Sequence, residues 1–161
     1  MSGLQGKVVI VTGGSGGLGA ATAACLARDG ANVVVTGRDS DEGEKAAAEV
    51  GAVYLRHDVT SEDDWRAVVE ATVDRYGRLD GLVNNAGIDT WSLIEHETLE
   101  RFEQVLKVNL TGIFLGTRIP KGAKTTNWAA RRLTTQQILY AATDAWACRE
   151  LYLRFKQLNL V

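Results

Sequence analysis

Apolar and polar positions along the first two-thirds of the chain alternate between two rhythms. Short unbroken runs of β-branched residues, "KVVIVT" at 7–12 and "ANVVVTG" at 31–37, have the length and composition of buried strands. Between and after them, small and apolar residues recur at helical spacing. "GLGAATAACLARDG" predicts a helix stopped by Gly30, and "DSDEGEKAAAEV" a second helix opened by polar caps. "SEDDWRAVVEATVDRYG" predicts a third, capped by Ser61, whose Glu62 to Asp64 suit the positive end of a helix dipole. "AVYLRHDVT", with its strand ending at Asp58, and "LDGLVNNAG" complete the series as the third and fourth strands.

Strands this apolar, each separated by a helix, need cover on both faces, which is the demand of a doubly wound parallel sheet in an α/β domain. Right-handed crossovers then point to strand order 3-2-1-4, half of a Rossmann fold, over residues 1–118. In that frame the stretch "TGGSGGLG", Thr12 to Gly19, leaves a parallel strand and enters a helix. Bare N–H groups and a positive helix end meet there, which suits a pyrophosphate. The glycines parse either as Gly14-x-Gly16-x-x-Gly19 or as Thr12-Gly13-x-x-x-Gly17-x-Gly19, and a bland tight turn is the alternative to both.

Composition narrows the setting. A chain of 161 residues with 45% apolar and 24% charged positions suits one core, and a net charge of −2 gives no general attraction to nucleic acid or an anionic membrane. The start "MSGLQGKVV" lacks the apolar run of a signal peptide, and no stretch approaches the ~20 apolar residues of a membrane span, so the expected location is the cytoplasm. Cys25 and Cys148 read as reduced, buried thiols; with no metal-ligand spacing around them or around His57 and His96, no metal is expected. Trp65 and Trp91 read as packing residues.

Together, Thr12-Gly13-x-x-x-Gly17-x-Gly19, Asp58-Val59, "NNAG" at 84–87 and "VNLTG" at 108–112 resemble, in order, the motifs of the short-chain dehydrogenase/reductases, from about Gly6 to Arg118. The resemblance implies a dinucleotide cofactor, NADP or NAD, and a small carbonyl or alcohol substrate. It gives Gly13, Gly17 and Gly19 to the pyrophosphate turn, with Ser15 and Leu18 in the same turn as cofactor-binding positions. It gives Asp58, followed by Val59, to the adenine amine. Asn84 to Gly87 would stabilise the sheet beside the cofactor, with Asn85, Ala86 and Gly87 as cofactor-binding positions. Asn109 would be the family's active-site asparagine, which bends a helix and holds a water in the proton relay. At the end of the second strand the chain has Thr36, then Gly37-Arg38, where NAD-preferring domains usually place a carboxylate. A guanidinium there suits a 2′-phosphate and favours NADP, with Asp39 as the alternative ribose ligand.

Beyond this point the chain departs from the family pattern, which continues with a catalytic serine and a Tyr-x-x-x-Lys pair. No serine follows Asn109, and Leu139 stands where one would fall; the spacing is met only by Tyr152 and Lys156. Whether the chain turns over substrate or only binds nucleotide is left open by this mixture. Residues 125–155 resemble the last motif of the DEDD-type 3′–5′ exonucleases of the ribonuclease D and Werner kind, with Tyr140 and Asp144 in its Tyr-x-x-x-Asp. That resemblance implies a hybrid chain, but a two-metal nuclease needs several converging carboxylates and one aspartate does not make the site.

Pro120 marks a junction over 119–133. Lys121, Lys124, Arg131 and Arg132 around Trp128 form either a small nucleic-acid patch or a solvated linker. Thr134 and Gln137 then open a long amphipathic C-terminal helix over 134–161 that carries Ile138, Ala141, Ala145 and Trp146. That helix, or a second chain in a homodimer, would cover the outer edge of the fourth strand.

Overall fold

A computed structural model of the chain describes residues 3–90 and 92–118. Four parallel strands, β1 (Val8–Thr12), β2 (Asn32–Gly37), β3 (Val53–Arg56) and β4 (Gly81–Val83), lie in the order β3-β2-β1-β4, the order expected from the sequence. β1 pairs with β2 from Val8 opposite Asn32 to Thr12 opposite Thr36, and with β4 from Val9 opposite Gly81 to Val11 opposite Val83. β3 and β4 are shorter than the runs "AVYLRHDVT" and "LDGLVNNAG", because the residues after Arg56 and Val83 turn away to form loops.

The two faces of the sheet divide by the two-residue period of the strands. Val9, Val11, Val33 and Val35 point to one side and pack with Ala23 of α1 (Gly17–Arg28) and Ala47 of α2 (Ser40–Glu49). Ile10 and Val34 point to the other and pack with Val68 of α3 (Glu62–Tyr76). Both faces being covered, β1 and β2 tolerate unbroken apolar runs, and Ile10, Val11 and Val35 are fully buried.

Local chemistry sets the helix ends. Asp39 caps α2 by accepting from the Glu42 N–H, and Ser61 caps α3 by accepting from the Asp64 N–H. Gly77 ends α3 in the left-handed conformation at φ 74°. The described chain ends on a helical run from Leu99 to Thr117: α4 (Leu99–Leu106), a wide π-turn (Lys107–Thr111) and α5 (Gly112–Thr117). Gly112 and Gly116 bring α5 against Val59 and against Trp65 and Asn84, where a Cβ would meet each neighbour at 2.8–2.9 Å. Trp65, 3% exposed, is the packing residue its sequence context implied.

Cys25 corrects an expectation: its thiol is exposed. The buried face of α1 runs through Gly19 and Ala23, and a residue two positions beyond Ala23 is turned about 200° around the helix. The helix expected over 134–161, Cys148, Trp91 and the junction at 119–133 lie outside the described residues.

Candidate functional site

The carboxyl ends of all four strands border one cleft of ≈ 240 Å³. β1 contributes Gly13 and Ser15, β2 contributes Gly37 to Asp39, β3 contributes His57 to Val59, and the loop after β4 contributes Ala86 to Ile88, with Val108 facing them from the π-turn. Of the eleven cofactor positions expected from the sequence, Gly13, Ser15, Arg38, Asp58, Val59, Ala86 and Gly87 line it. The crevice lies where the strand order reverses, since β1 is flanked by β2 on one side and β4 on the other.

Gly17, Leu18, Gly19 and Asn85 do not line the cleft but build its mouth and floor. A Cβ at Gly19 would overlap the Gly13 carbonyl and the Asn85 amide, so Gly19 lets helix and turn close on each other. Gly13, at φ 63°, abuts the Ala86 backbone, with a would-be Cβ 2.9 Å from Ala86 Cα. Asn85 donates through Nδ2 to the carbonyls of Thr12 (3.0 Å) and Gly13 (3.1 Å). The glycine turn and "NNAG" are thus one unit, joined further by Thr12, whose hydroxyl accepts from the N–H groups of Asn85 and Ala86 at 3.0 Å.

Helix α1 opens differently from α2, α3 and α4. Those three carry a side-chain cap and at least one acid in the first turn, whereas α1 begins after Gly16 with no side-chain cap and no acid. Its first amides lack intrahelical acceptors and keep their positive potential. Gly16 has extended backbone, φ −166° and ψ 175°, that any residue adopts, and a Cβ there would meet nothing within 4 Å. Neither conformation nor internal packing calls for glycine at this position, and its backbone faces open space. Leu18, 81% exposed, stands beside this opening.

Asp58 faces the cleft as a carboxylate. The Thr60 N–H and hydroxyl both donate to its Oδ1, at 2.9 and 2.8 Å, and hold its pKa below the ordinary value against the opposing effect of burial, with Arg38 and Lys107 adding to the fall. Its Oδ2 has no hydrogen-bond partner among the described residues. Beneath it, Asp64 accepts the Asp58 N–H at 2.8 Å, which is the main cause of its own lowered pKa.

His57, 1% exposed, is more than the polar neighbour of Asp58 that its sequence position suggested. Its Nδ1 shares a 3.0 Å hydrogen bond with the Thr36 hydroxyl, and its ring meets Trp65 edge-on at 4.2 Å. Burial lowers its pKa to about 4 although Asp64 and Asp58 pull the other way, so the ring is neutral at pH 7. Its Nε2 is buried without a partner among the described residues. Trp65 donates to the Val59 carbonyl at 2.9 Å, so α3 is tied to the loop after β3, while the Thr36–His57 bond joins the ends of β2 and β3.

Asn109 sits in the π-turn, and its side chain clips the loop beside the cleft. Oδ1 accepts the Ile88 N–H at 2.9 Å and Nδ2 donates to the Ile88 carbonyl at 2.7 Å. Thr12, Tyr54, His57, Asp64, Ile88 and Val108 are structural members of the site that sequence reasoning did not single out for it. For Thr12 the signal was present, since it opens the second parse of the glycine turn. Tyr152 and Lys156, and with them Tyr140 and Asp144, lie outside the described residues. No group of three or more His, Cys, Asp or Glu that would hold a metal occurs among the described residues, and none of their helices is long and apolar enough to cross a membrane.

Residues 7–121 match the family model described as short chain dehydrogenase. The NADP-dependent (R)-specific alcohol dehydrogenase of Lentilactobacillus kefiri is 42% identical over 120 residues, covering 72% of this chain and 48% of its own length. The 3-beta-hydroxysteroid dehydrogenase of Comamonas testosteroni is 43% identical over 115 residues, covering 70% and 45%. Among solved structures, the 3-ketoacyl-(acyl-carrier-protein) reductase of Brucella melitensis, crystallised with NADH, superposes with a TM-score of 0.69 at 38% identity, over 73% of this chain and 50% of that one. The chain spans about half the length of the relatives it matches.

Proposed function

Because the chain belongs to the short-chain dehydrogenase family, we propose that its cleft binds a nicotinamide dinucleotide, NADP(H) in preference to NAD(H), and that it is a nucleotide-binding domain with impaired hydride transfer. The observation that carries the reading is the start of α1: amides left uncapped, no acid in the first turn, and a glycine at 16 that faces open space. That cradle fits a diphosphate, which uncapped amides at a positive helix end receive without a side chain intervening. Two relatives support the cofactor class, one by its NADP dependence and one by its complex with NADH.

The other residues divide the remainder of such a ligand between them. The free Oδ2 of Asp58 is placed to accept from an adenine amine. Arg38, at the cleft rim, makes no hydrogen bond or ion pair among the described residues, and its fork of N–H groups suits a 2′-phosphate. Asp39 caps α2 by accepting the Glu42 N–H at 3.0 Å on one oxygen and also lines the cleft, so it stays the alternative ribose ligand, and the NADP preference rests on Arg38.

A bound nicotinamide would supply hydride exchange with a carbonyl or alcohol. The chain's own residues would have to move the proton, a task the family pattern gives to a serine, a tyrosine and a lysine, with Asn109 behind them. Tyr152 and Lys156 keep the tyrosine–lysine spacing, but no serine follows Ser92 to orient a carbonyl. Asn109 spends both side-chain ends on Ile88, so its service to the site is to fix the wall at Gly87–Ile88. Turnover is therefore expected to be weak.

Calorimetric titration of the full chain with NADPH and NADH tests the binding claim: saturable heat with tighter NADPH is the expected result, and no heat with either overturns it. Assay of a carbonyl panel then tests the catalytic claim. Slow oxidation of NADPH that Tyr152→Phe abolishes supports a residual role for that tyrosine, and a rate unchanged in Tyr152→Phe removes it. The outer edge of β4, unpaired among the described residues, further supports pairing of two chains, which light scattering would show as a mass twice that of the monomer; a monomer across the concentration range would remove this part of the reading.

A further inference from the structure

Arg38 is useful to a phosphate only if its backbone is held still, and one of the ties that hold it comes from a residue outside the cleft. Immediately before Arg38, the Gly37 carbonyl accepts twice, from the His57 N–H at 2.7 Å and from the Tyr54 hydroxyl at 2.7 Å. One residue earlier, the Thr36 carbonyl accepts the Gly14 N–H at 3.1 Å and its hydroxyl bonds His57 Nδ1. Immediately after Arg38, the Asp39 carboxylate and carbonyl take the N–H groups of Glu42 and Gly43, at 3.0 and 3.1 Å. Arg38 is thus suspended between two fixed points.

Tyr54 lies on β3 with its ring flat enough against α2 that a Cβ on Gly43 would overlap it. The ring is thereby set in place, and the phenol reaches back across β2 to the carbonyl that precedes Arg38. With both lone pairs of that carbonyl engaged, the Gly37–Arg38 peptide has one orientation. Gly37 itself stands against Ser15, where a Cβ would come within 3.3 Å of the serine hydroxyl, so a shift of this peptide would also be felt in the glycine turn.

Resting on the reading of Arg38 given above, we propose that Tyr54 is a positioning residue for coenzyme choice: its hydroxyl latches the Gly37 carbonyl and so sets the Arg38 guanidinium where a 2′-phosphate would lie. Tyr54 does not line the cleft, so its substitution removes no group that faces the coenzyme. A purely structural tyrosine would change stability and leave the ratio of NADPH to NADH affinity where it was. A latch changes the ratio.

The test is a double-mutant cycle on the full chain, with dissociation constants for NADPH and NADH measured by titration. Tyr54→Phe keeps the ring on Gly43 and removes only the hydroxyl; the affinity ratio is expected to fall roughly two- to tenfold, the range of one hydrogen bond, with NADH binding unchanged. In an Arg38→Ala background the same change is expected to leave the ratio unmoved, because its target is gone. Gly43→Ala, which displaces the ring, is expected to reproduce the loss. Hydrogen exchange of the coenzyme-free protein gives a readout independent of binding, with faster exchange expected across 37–39 in Tyr54→Phe.

Equal weakening of both coenzymes by Tyr54→Phe, no change in either, or unaltered exchange at 37–39 would each overturn the latch. An Arg38→Ala protein with undiminished preference for NADPH would instead overturn the reading of Arg38 on which the latch rests, and the two failures are told apart by that single variant.

Discussion

Thr12 and His57 show how single side chains hold the cleft together. Thr12 is 1% exposed; its hydroxyl accepts from two loop amides and lies 3.3 Å from the Val83 carbonyl as donor. Thr12→Val keeps the shape and strands two N–H groups, so a loss of roughly 2–4 kcal/mol in urea unfolding is expected. His57 ties stability to pH. Its folded pKa of about 4 lies below the ordinary value of 6.5, so the neutral ring contributes fully above pH 6.5. That contribution is lost as pH falls from 6.5 towards 4, by up to about 3 kcal/mol. The lowered carboxylates at Asp58, Asp64 and Asp80 begin to lose their contribution only from about pH 5 downwards, so the loss between pH 6.5 and 5 is the histidine's signature. His57→Phe is expected to flatten the dependence of the urea midpoint on pH in that window. Asp58 and Arg38 were legible in the sequence because they follow the ends of apolar strands, Asp58 within a recognisable motif. His57 and Tyr54 were not, since what gives each a role is a partner 17 to 21 residues away on β2.

Among the elements, α1 and the π-turn bear most on function. Gly16→Asp would place a favoured cap on α1, with no collision, and at the same time put a negative charge in the phosphate cradle. Thermal stability equal to or above the parent's, together with at least a tenfold loss of NADPH affinity, is the expected pair of results; a loss of stability with affinity intact would contradict the role given to that helix end. In the π-turn, Asn109→Ala removes both bonds to Ile88 and is expected to lower stability by about 1–3 kcal/mol, with faster hydrogen exchange at Gly87–Ile88. The helices and strands of 1–118 were readable because caps, glycine stops and β-branched runs act locally: Ser61 and Gly77 stand at the two ends of α3 as their chemistry dictates. β4 is shorter than "LDGLVNNAG" because its apolar residues end at Val83 and the backbone of "NNAG" then turns onto the Thr12 hydroxyl, a partner 73 residues away that the local sequence does not show.

At the level of the whole molecule, the crossovers force β1 to the centre, and that placement gathers the glycine turn, Arg38, Asp58 and Ala86–Gly87 at one end of the sheet. Residues far apart in sequence become neighbours for a reason of topology, which is why the site was legible in outline once the alternation of strand and helix had been recognised. What the pattern of residues did not convey was the path of the backbone through the loops, and so the division of the eleven expected positions into those that face the cleft and those that build its floor. Catalysis is a separate question from binding, since Tyr152 and Lys156 are proposed from spacing alone. The central claim concerns the cradle at the start of α1. Titration of the full chain with NADPH, followed by the change in nicotinamide fluorescence and repeated with Gly16→Asp, tests it most directly. The account expects saturable binding by the parent that is at least tenfold weaker in the variant; no saturable change in the parent, or equal affinity in the two, would contradict it.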